Sequence, residues 1–548
     1  MADDNSRIES TIKRWETLHG NRSQWDQHFE DLARVMLPRR MGFTSTQMEG
    51  GRRTENIYDG TPMQAARALA NAVDGFIWSD EVDAFFIRAV DEGLEHTDEV
   101  KDWLADCEDR LREALADPRA MFRQARGEVN LDLVVFGTGI MFVGESERMG
   151  HLSHASIHLK DSVFVLDDEG HPNTMFRARK YTVQQMVDRF GETALSEETQ
   201  RLVKDEKWDD KIEVIQVVMP RAEGRANALL SRNWPFADLW IEVAAKHELS
   251  ERGFPEFPFV VPRWDTSSGE DYGRSPGMIA LPDANTLQAM GETILVAGQR
   301  AADPPLLVPD DGMLNAPNTF PGGLAYYDVD LAREMGRMPI APLESGQNLP
   351  ITRDMQRDMR AQVEAAFYRN IFKLPTERPY MSELEIMQRK AEFLREAGPV
   401  FGRLESDYVA PIVERNFKTM LRAGAFLPVP EALAGRSVRF EFKSPITRWK
   451  DQINATAAQG WVTGLSALMP VDPTAMDTVN IDEYARFAAE SASLPNRLVN
   501  GRDKVAARRQ ARAQAQQQVQ AMQQAQMIAE SGSKVMKALP APTQGAGA

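Results

Sequence analysis

The spacing of apolar residues changes three times along this chain, and that alone confines it to a mixed architecture. From Arg7 to about Leu37 the residues Ile8, Ile12, Trp15, Leu18, Trp25, Phe29, Leu32 and Met36 recur at three- and four-residue steps. This predicts an amphipathic helix interrupted near Gly20 and stopped by Pro38. Two more helices are predicted over 62–78 and 98–115. The period then shortens: 131–136 and 140–143 read as strands joined by a Gly137-Thr138-Gly139 hairpin turn. Further strands are predicted at 163–166, 174–178, 212–219 and 239–243, with a helix at 183–190. The middle of the chain is thus expected to be an antiparallel sheet flanked by helices.

Near residue 280 the helical period returns. Pro282 suits a first turn, and Leu287, Met290, Ile294 and Ala297 follow until Asp303-Pro304-Pro305 breaks the run. From there to about Pro350 the chain is rich in Pro and Gly, with β-prone pieces at 306–308 and 324–327. A second helix is predicted over 351–372, with Ile351, Met355, Met359, Val363, Phe367 and Ile371 on one four-residue row. Such a row slants by about 26° to the helix axis and suits an inclined neighbour. A long helical stretch after Pro379 is interrupted at Gly398-Pro399, followed by a strand at 437–442 and helices at 449–469 and 481–492. The expected class is α+β, predominantly helical.

A chain of 548 residues has room for three to five domains. Its formal charge of -17 excludes a wholly basic nucleic-acid coat. No apolar run approaches the ~20 residues needed to cross a bilayer. The polar opening Met-Ala-Asp-Asp-Asn-Ser predicts no secretory signal, and the one cysteine, Cys107, predicts no intramolecular disulfide. Together these point to assembly in a reducing cytoplasm.

The chemical motifs are weak. Gly273-Arg274-Ser275-Pro276-Gly277 fits the nucleophile-elbow pattern of serine hydrolases, but Pro276 has no N–H for an oxyanion hole. His151, His154 and His158 form the densest histidine cluster, yet no H-E-x-x-H or cysteine partner accompanies them. Asp167-Asp168-Glu169 beside Gly170 reads as a solvated turn. Gly-Lys occurs nowhere, so the phosphate-cradling loop of P-loop ATPases is absent, and there is no dinucleotide-binding glycine fingerprint. Energy-driven work would need a second protein to hydrolyse the nucleotide.

Several phrases, taken in order, resemble the head-to-tail connector, or portal, family of short-tailed bacteriophages. They are Asp59-Gly60-Thr61 before Ala-Ala-Arg-Ala-Leu-Ala, Phe136-Gly137-Thr138-Gly139, Tyr272-Gly273-Arg274-Ser275-Pro276, Asp303-Pro304-Pro305, Met381-Ser382-Glu383-Leu384-Glu385, and Gly398-Pro399-Val400 with Arg403-Leu404-Glu405. The resemblance spans residues 7–500. It implies a ring, typically of twelve subunits, with a wing, two stem helices, an α/β clip and a helical crown. On this chain the wing would be 1–280, the first stem helix 281–303, the clip 304–349 and the second stem helix 350–373. A tunnel loop, a long kinked helix and a returning wing strand would occupy 374–445, the crown 446–500, and a basic Ala/Gln-rich tail 501–548.

The implied function is mechanical: a ring at one capsid vertex of the virion, assembled in the host bacterial cytoplasm, through which double-stranded DNA is packaged and ejected. The implied partners are further copies of the chain, DNA, the terminase large subunit, tail or adaptor proteins, and major capsid and scaffolding proteins. No membrane, metal, cofactor or catalytic residue is implied. Arg353, Arg357 and Arg360 on the second stem helix, with Lys373 and Arg378 in the following turn, are channel candidates. Salt bridges to Asp354, Asp358 or a neighbouring subunit would explain the arginines equally well. The tail carries Arg502, Lys504, Arg508, Arg509 and Arg512; residues 501–548 are +5 and residues 1–500 are -22. It is read either as a helix facing packaged DNA or as a disordered extension. The competing readings are a phage neck or scaffold protein that binds capsid without conducting DNA, and a serine hydrolase at Ser275.

Overall fold

The computed structural model describes residues 2–48, 50–78, 85–90, 97–146, 150–225, 230–303, 306–307, 333, 341–342, 349–369, 398, 402–436, 438–442, 445–468, 470, 475–491 and 499–537. The chain divides into two compact units, Met1–Trp78 with Asp117–Arg415 and Ser79–Ala116 with Asn416–Ala548.

In chain order the elements begin with α1 (Ala2–Asn21), α2 (Ser23–Met36), α3 (Thr61–Ile77), β1 (Phe85–Ala89), α4 (Asp98–Ala116) and α5 (Phe122–Phe136). The sheet region follows: β2 (Met141–Glu145), β3 (Leu152–Ser156), β4 (Ser162–Leu166), β5 (Pro172–Thr182), α6 (Val183–Phe190), α7 (Glu197–Lys204), β6 (Lys211–Pro220), β7 (Phe236–Glu242), β8 (His247–Phe254) and β9 (Phe259–Val260). Then come α8 (Pro276–Ala302), β10 (Leu306–Leu307), β11 (Ala341–Pro342), α9 (Leu349–Ala366) and α10 (Ala410–Arg422). The chain continues with β12 (Val438–Phe442), α11 (Pro445–Leu468), α12 (Ile481–Ser491) and α13 (Arg502–Lys537). None of the described helices is long and apolar enough to cross a membrane.

The first unit is organised by an antiparallel five-stranded sheet, β4-β5-β6-β7-β8. On one face Phe176, Ile215, Val217, Ala237 and Leu239 pack against Trp15 and Leu18 of α1. On the other, Tyr181, Val214, Trp240 and Leu249 close over Met186 of α6 and Leu195. Because both faces are covered, the central strand β6 has five consecutive buried residues in place of alternation. Helix α6 starts where the sequence predicts it, since Thr182 and Gln185 form a reciprocal capping box. Strand β8, with Glu248, Glu251 and Arg252, is an edge strand whose charges hid it from the sequence pattern.

Four expectations in this unit are refined or corrected. The first helix is interrupted at Arg22, close to the expected point near Gly20. The Arg22 guanidinium is buried, donates to the carbonyls of Leu159 at 2.7 Å and Lys160 at 3.2 Å, and pairs with Asp26 at 2.8 Å. A buried cation needs its donors met, and these contacts meet them at the break.

Residues 131–136 are the last turns of α5, not a strand. Gly137 closes that helix at φ 77, in the left-handed conformation of a helix end. Phe122, Val129, Leu133, Val134, Val135 and Phe136 are all buried. A helix covered on every side shows a continuous apolar run at its end, which from spacing alone is indistinguishable from a buried strand.

Third, Pro282 lies inside α8, whose first residue is Pro276. Ser275 caps that helix with its side chain, and Pro276 occupies the position where a missing N–H costs nothing. Fourth, helix α9 ends at Ala366 within the predicted 351–372, where Tyr368, at φ 55, turns the chain out of helical geometry; 370–372 lie outside the described residues. Of the other predicted pieces, 306–307 is a strand, while 324–327 and most of the helix after Pro379 lie outside the described residues.

In the second unit, β1 and β12 pair antiparallel, with Phe85 opposite Phe442 and Ile87 opposite Phe440. Buried Glu108 of α4 accepts the Ile87 N–H at 2.7 Å, answering a donor on the strand. Cys107, also on α4, is fully buried; burial, reinforced by the Asp106 charge, pushes its thiol up to about 12, so it is an inert core residue.

Candidate functional site

The candidate site is the pair of long helices α8 and α9, which pack against each other, together with the groups that hold them. The turn before α3 provides the first anchor. Asp59 is 5% exposed; its Oδ1 accepts the Thr61 N–H at 2.9 Å and its Oδ2 accepts Nε–H of Arg360 on α9 at 2.8 Å. Gln288 of α8 grips the same turn through its amide. Its Oε1 accepts the N–H groups of Tyr58 at 2.8 Å and Asp59 at 3.0 Å, and its Nε2 donates to the Asp59 carbonyl at 2.7 Å. One turn, with Asp59 buried at its centre, thus holds both helices. Gly291 lets the turn lie close against α8, since a Cβ there would lie 2.9 Å from Tyr58 Cβ. Burial pulls the Asp59 carboxyl upward, but the Thr61 hydroxyl and N–H and the Arg360 guanidinium outweigh it and hold it below its ordinary value.

The second anchor joins the end of α5 to the start of α8. A Cβ on Gly137 would lie 2.3 Å from the Gly273 carbonyl oxygen, and one on Gly273 would lie 2.2 Å from the Gly137 oxygen. Only two glycines permit this contact. Thr138 Oγ1 accepts the Gly273 N–H at 2.8 Å, and the Gly137 carbonyl accepts the Trp264 N–H at 2.8 Å. Ser275, 1% exposed, donates its hydroxyl to the Val135 carbonyl at 2.7 Å and accepts the Met278 N–H at 3.0 Å. The Gly-Arg-Ser-Pro-Gly phrase is therefore a helix start locked onto a helix end, and its serine is committed to both. The phrases 136–139 and 272–276, far apart in the sequence, are the two halves of one contact.

Of the channel candidates, Arg353 and Arg357 are exposed on α9; Arg360 is half-exposed and bound to Asp59. Lys373 and Arg378 lie outside the described residues. The predicted row on α9 is not uniform: Met355 is exposed, whereas Val363 and Phe367 are buried. Residues Arg502–Lys537 of the tail form the helix α13, and 538–548 lie outside the described residues. On it Arg502 donates to Glu483 at 2.8 Å and Arg509 forms a two-bond pair with Asp482, while Lys504, Arg508 and Arg512 are exposed.

The three histidines do not converge. His151 meets the Leu152 carbonyl, His154 the Ala120 carbonyl, and His158 the Arg40 carbonyl. Among the described residues no group of three metal-binding side chains occurs. Sequence reasoning could have found Ser275 as a cap, since Ser-Pro before an apolar run is a helix-start signature. It had no signal for Gln288, whose role exists only where two distant elements meet.

These contacts describe a protein built around two anchored helices. Residues 9–499 match the family of bacteriophage head to tail connecting proteins. The chain is 28% identical over 506 residues to the probable portal protein of Bordetella phage BPP-1, covering 91% of this chain and 90% of that one. It is 26% identical over 514 residues to the portal protein of Salmonella phage epsilon15, covering 92% and 91%. Among solved structures, a chain from the virion of a native gene transfer agent particle is 11% identical, with a TM-score of 0.36, covering 81% of this chain and 95% of that one. The chain belongs to the head-to-tail connecting protein family of bacteriophages.

Proposed function

We propose that twelve copies of this chain form a ring at one vertex of the phage head, and that double-stranded DNA enters and leaves along its axis. One observation carries this reading: α8 and α9 pack side by side, and the segment between them is closed by a short antiparallel ladder, Leu306 opposite Pro342 and Leu307 opposite Ala341. Two helices enclosing a small ladder-closed module suit a stem and clip. On this reading α8 and α9 are the stem, 304–349 is the clip, 446–500 the crown, and most of 1–280 the wing. The terminase docks during packaging and tail or adaptor proteins afterwards, while capsid and scaffolding proteins hold the rim.

A conduit must pass DNA without gripping it, because every phosphate met by a fixed cation adds a salt-sensitive binding increment. The acidic body, -22 over residues 1–500, opposes capture. Arg353, Arg357, Lys373 and Arg378 are then sparse, sequence-indifferent channel contacts, and Arg360 divides its charge between the channel and Asp59. The mass of the purified assembly tests the ring, as a definite multiple of 61.5 kDa. Electron micrographs showing an axial hole of duplex width are expected; a monomer or a solid particle overturns the reading in favour of a neck or scaffold protein.

A further inference from the structure

The tail helix offers more than net charge. In the second unit, α12 opens with Asp482 and Glu483 in its first turn, and Asn480 Oδ1 accepts the Glu483 N–H at 3.2 Å. Acidic groups there are favoured by the unpaired N–H groups of the helix end. Both acids are occupied by α13. Arg509 donates Nη1 to Asp482 Oδ2 at 2.7 Å and Nη2 to Oδ1 at 2.5 Å, the paired geometry with which a guanidinium also grips phosphate. Arg502, seven residues earlier and so on the same face, donates to Glu483 at 2.8 Å. Arg486 of α12 reaches the Asn500 carbonyl at 3.3 Å, tying the approach to α13 back to the same helix. Arg508 and Arg512, within the same three turns, are exposed.

We propose that the acidic first turn of α12 stands in for nucleic-acid phosphate: Asp482 and Glu483 hold Arg509 and Arg502 of the tail helix, and duplex DNA binds the tail by displacing them. The proposal rests on the reading of the chain as a DNA conduit. The magnitudes favour exchange over a permanent lock, since all four side chains are about half exposed or more and such pairs are weak and screened by salt. At low phosphate density the arginines stay on the carboxylates and the tail attracts DNA weakly. Against tightly packed DNA the phosphates outcompete two carboxylates. The tail arginines are therefore masked at low DNA concentration and engage duplex DNA as phosphate density rises.

The test is a titration of the assembled full-length protein with a fluorescent 30-bp duplex, read by anisotropy at several NaCl concentrations. The variant Asp482→Asn/Glu483→Gln should bind roughly 2- to 30-fold more tightly than the parent, the range expected for releasing two exposed ion pairs. Adding Arg502→Gln/Arg509→Gln should abolish that gain and flatten the log–log salt slope by about 1.8, the loss of two phosphate contacts. Removing two other exposed acids of this unit, Glu431→Gln/Asp477→Asn, should change binding much less. Superimposable curves for the parent and Asp482→Asn/Glu483→Gln would overturn the proposal. So would a gain that survives the two arginine substitutions, or one matched by Glu431→Gln/Asp477→Asn. Assembly mass on the same samples separates the two readings: a ring with unchanged curves removes the phosphate mimic and leaves the conduit standing, whereas a chain that forms no ring removes the conduit.

Discussion

Asp59 Oδ2 accepts the Nε–H of Arg360 at 2.8 Å, so a carboxylate in the turn before α3 holds a side chain of the second long helix. Arg353, Arg357 and Arg360 look equivalent by spacing, yet only Arg360 has this partner. Arg360→Ala is expected to destabilise the protein by about 1–2 kcal/mol, because a buried carboxylate loses a charged donor while keeping Thr61. Arg353→Ala and Arg357→Ala should stay within about 0.5 kcal/mol of the parent. Thermal unfolding of the three variants side by side is the check, and equal shifts would remove the anchoring role of Asp59.

Gln288→Ala leaves the backbone N–H groups of Tyr58 and Asp59 and the Asp59 carbonyl without this partner. A loss of about 1–2 kcal/mol is expected, because water reaches part of the turn. Gln288→Glu preserves shape and both acceptor contacts but loses the donor to the Asp59 carbonyl and places a second carboxylate beside Asp59. It should therefore restore little, which denaturant melts of the two variants will show.

The glycine contact predicts a sharp contrast. Gly137→Ala or Gly273→Ala places a methyl group 2.3 or 2.2 Å from a carbonyl oxygen, so the ends of α5 and α8 must separate. Both variants should be lost from the soluble fraction or melt far below the parent. Gly127→Ala, in the interior of α5 with no atom within 4 Å of the new methyl, should instead stabilise by up to about 1 kcal/mol. Soluble yield and melting temperature distinguish the cases.

Ser275→Ala removes a helix cap and the donor to the Val135 carbonyl together. A loss of about 1–3 kcal/mol is expected from these two bonds. A serine acting as a nucleophile would instead lose hydrolysis with little loss of stability, so unfolding and ester-cleavage assays on one preparation tell the roles apart.

Two buried groups beside Arg40 predict opposite pH dependences. Burial, opposed by Arg40, pushes the Asp132 carboxyl from its ordinary 3.8 up to about 7. Its folded form keeps a proton that the unfolded chain releases, so its contribution is full below pH ~4 and is lost as pH rises to about 7. Burial, helped by the Arg40 charge, drives the His158 ring from 6.5 down to about 3. Its contribution is present above pH ~6.5 and is lost as pH falls towards 3. Each slope is at most about 1.4 kcal/mol per pH unit, and in the overlap they largely cancel. Relative to the parent, Asp132→Asn should gain stability as pH rises from 4 to 7, and His158→Asn should lose it. Melting temperatures across pH 4–8 that run parallel for all three proteins would rule this pair out.

Much of the fold was legible because its signals are local. The helices over 62–78 and 98–115 follow from period, the strand at 212–219 from a short β-branched apolar run, and α6 from period with its Thr182–Gln185 capping box. Where the structure departs from expectation, a distant element decided. Residues 132–136 are covered by neighbours on every side, which erases the helical period and made the end of α5 read as a strand. Helix α8 begins at Pro276 after a locally legible Ser275 cap, but that cap's bond to the Val135 carbonyl of α5, 140 residues earlier, has no local signal. The candidate site divides in the same way. The order of short phrases identified the family, and the charge of the tail is additive along the chain, so both belong to the sequence alone. That Gly137 meets Gly273, that Asp59 and Gln288 hold two helices, and that Asp482 holds Arg509 were decided only in three dimensions. A hydrogen bond or a close backbone approach depends on the positions of both partners, and residue spacing along the chain specifies neither.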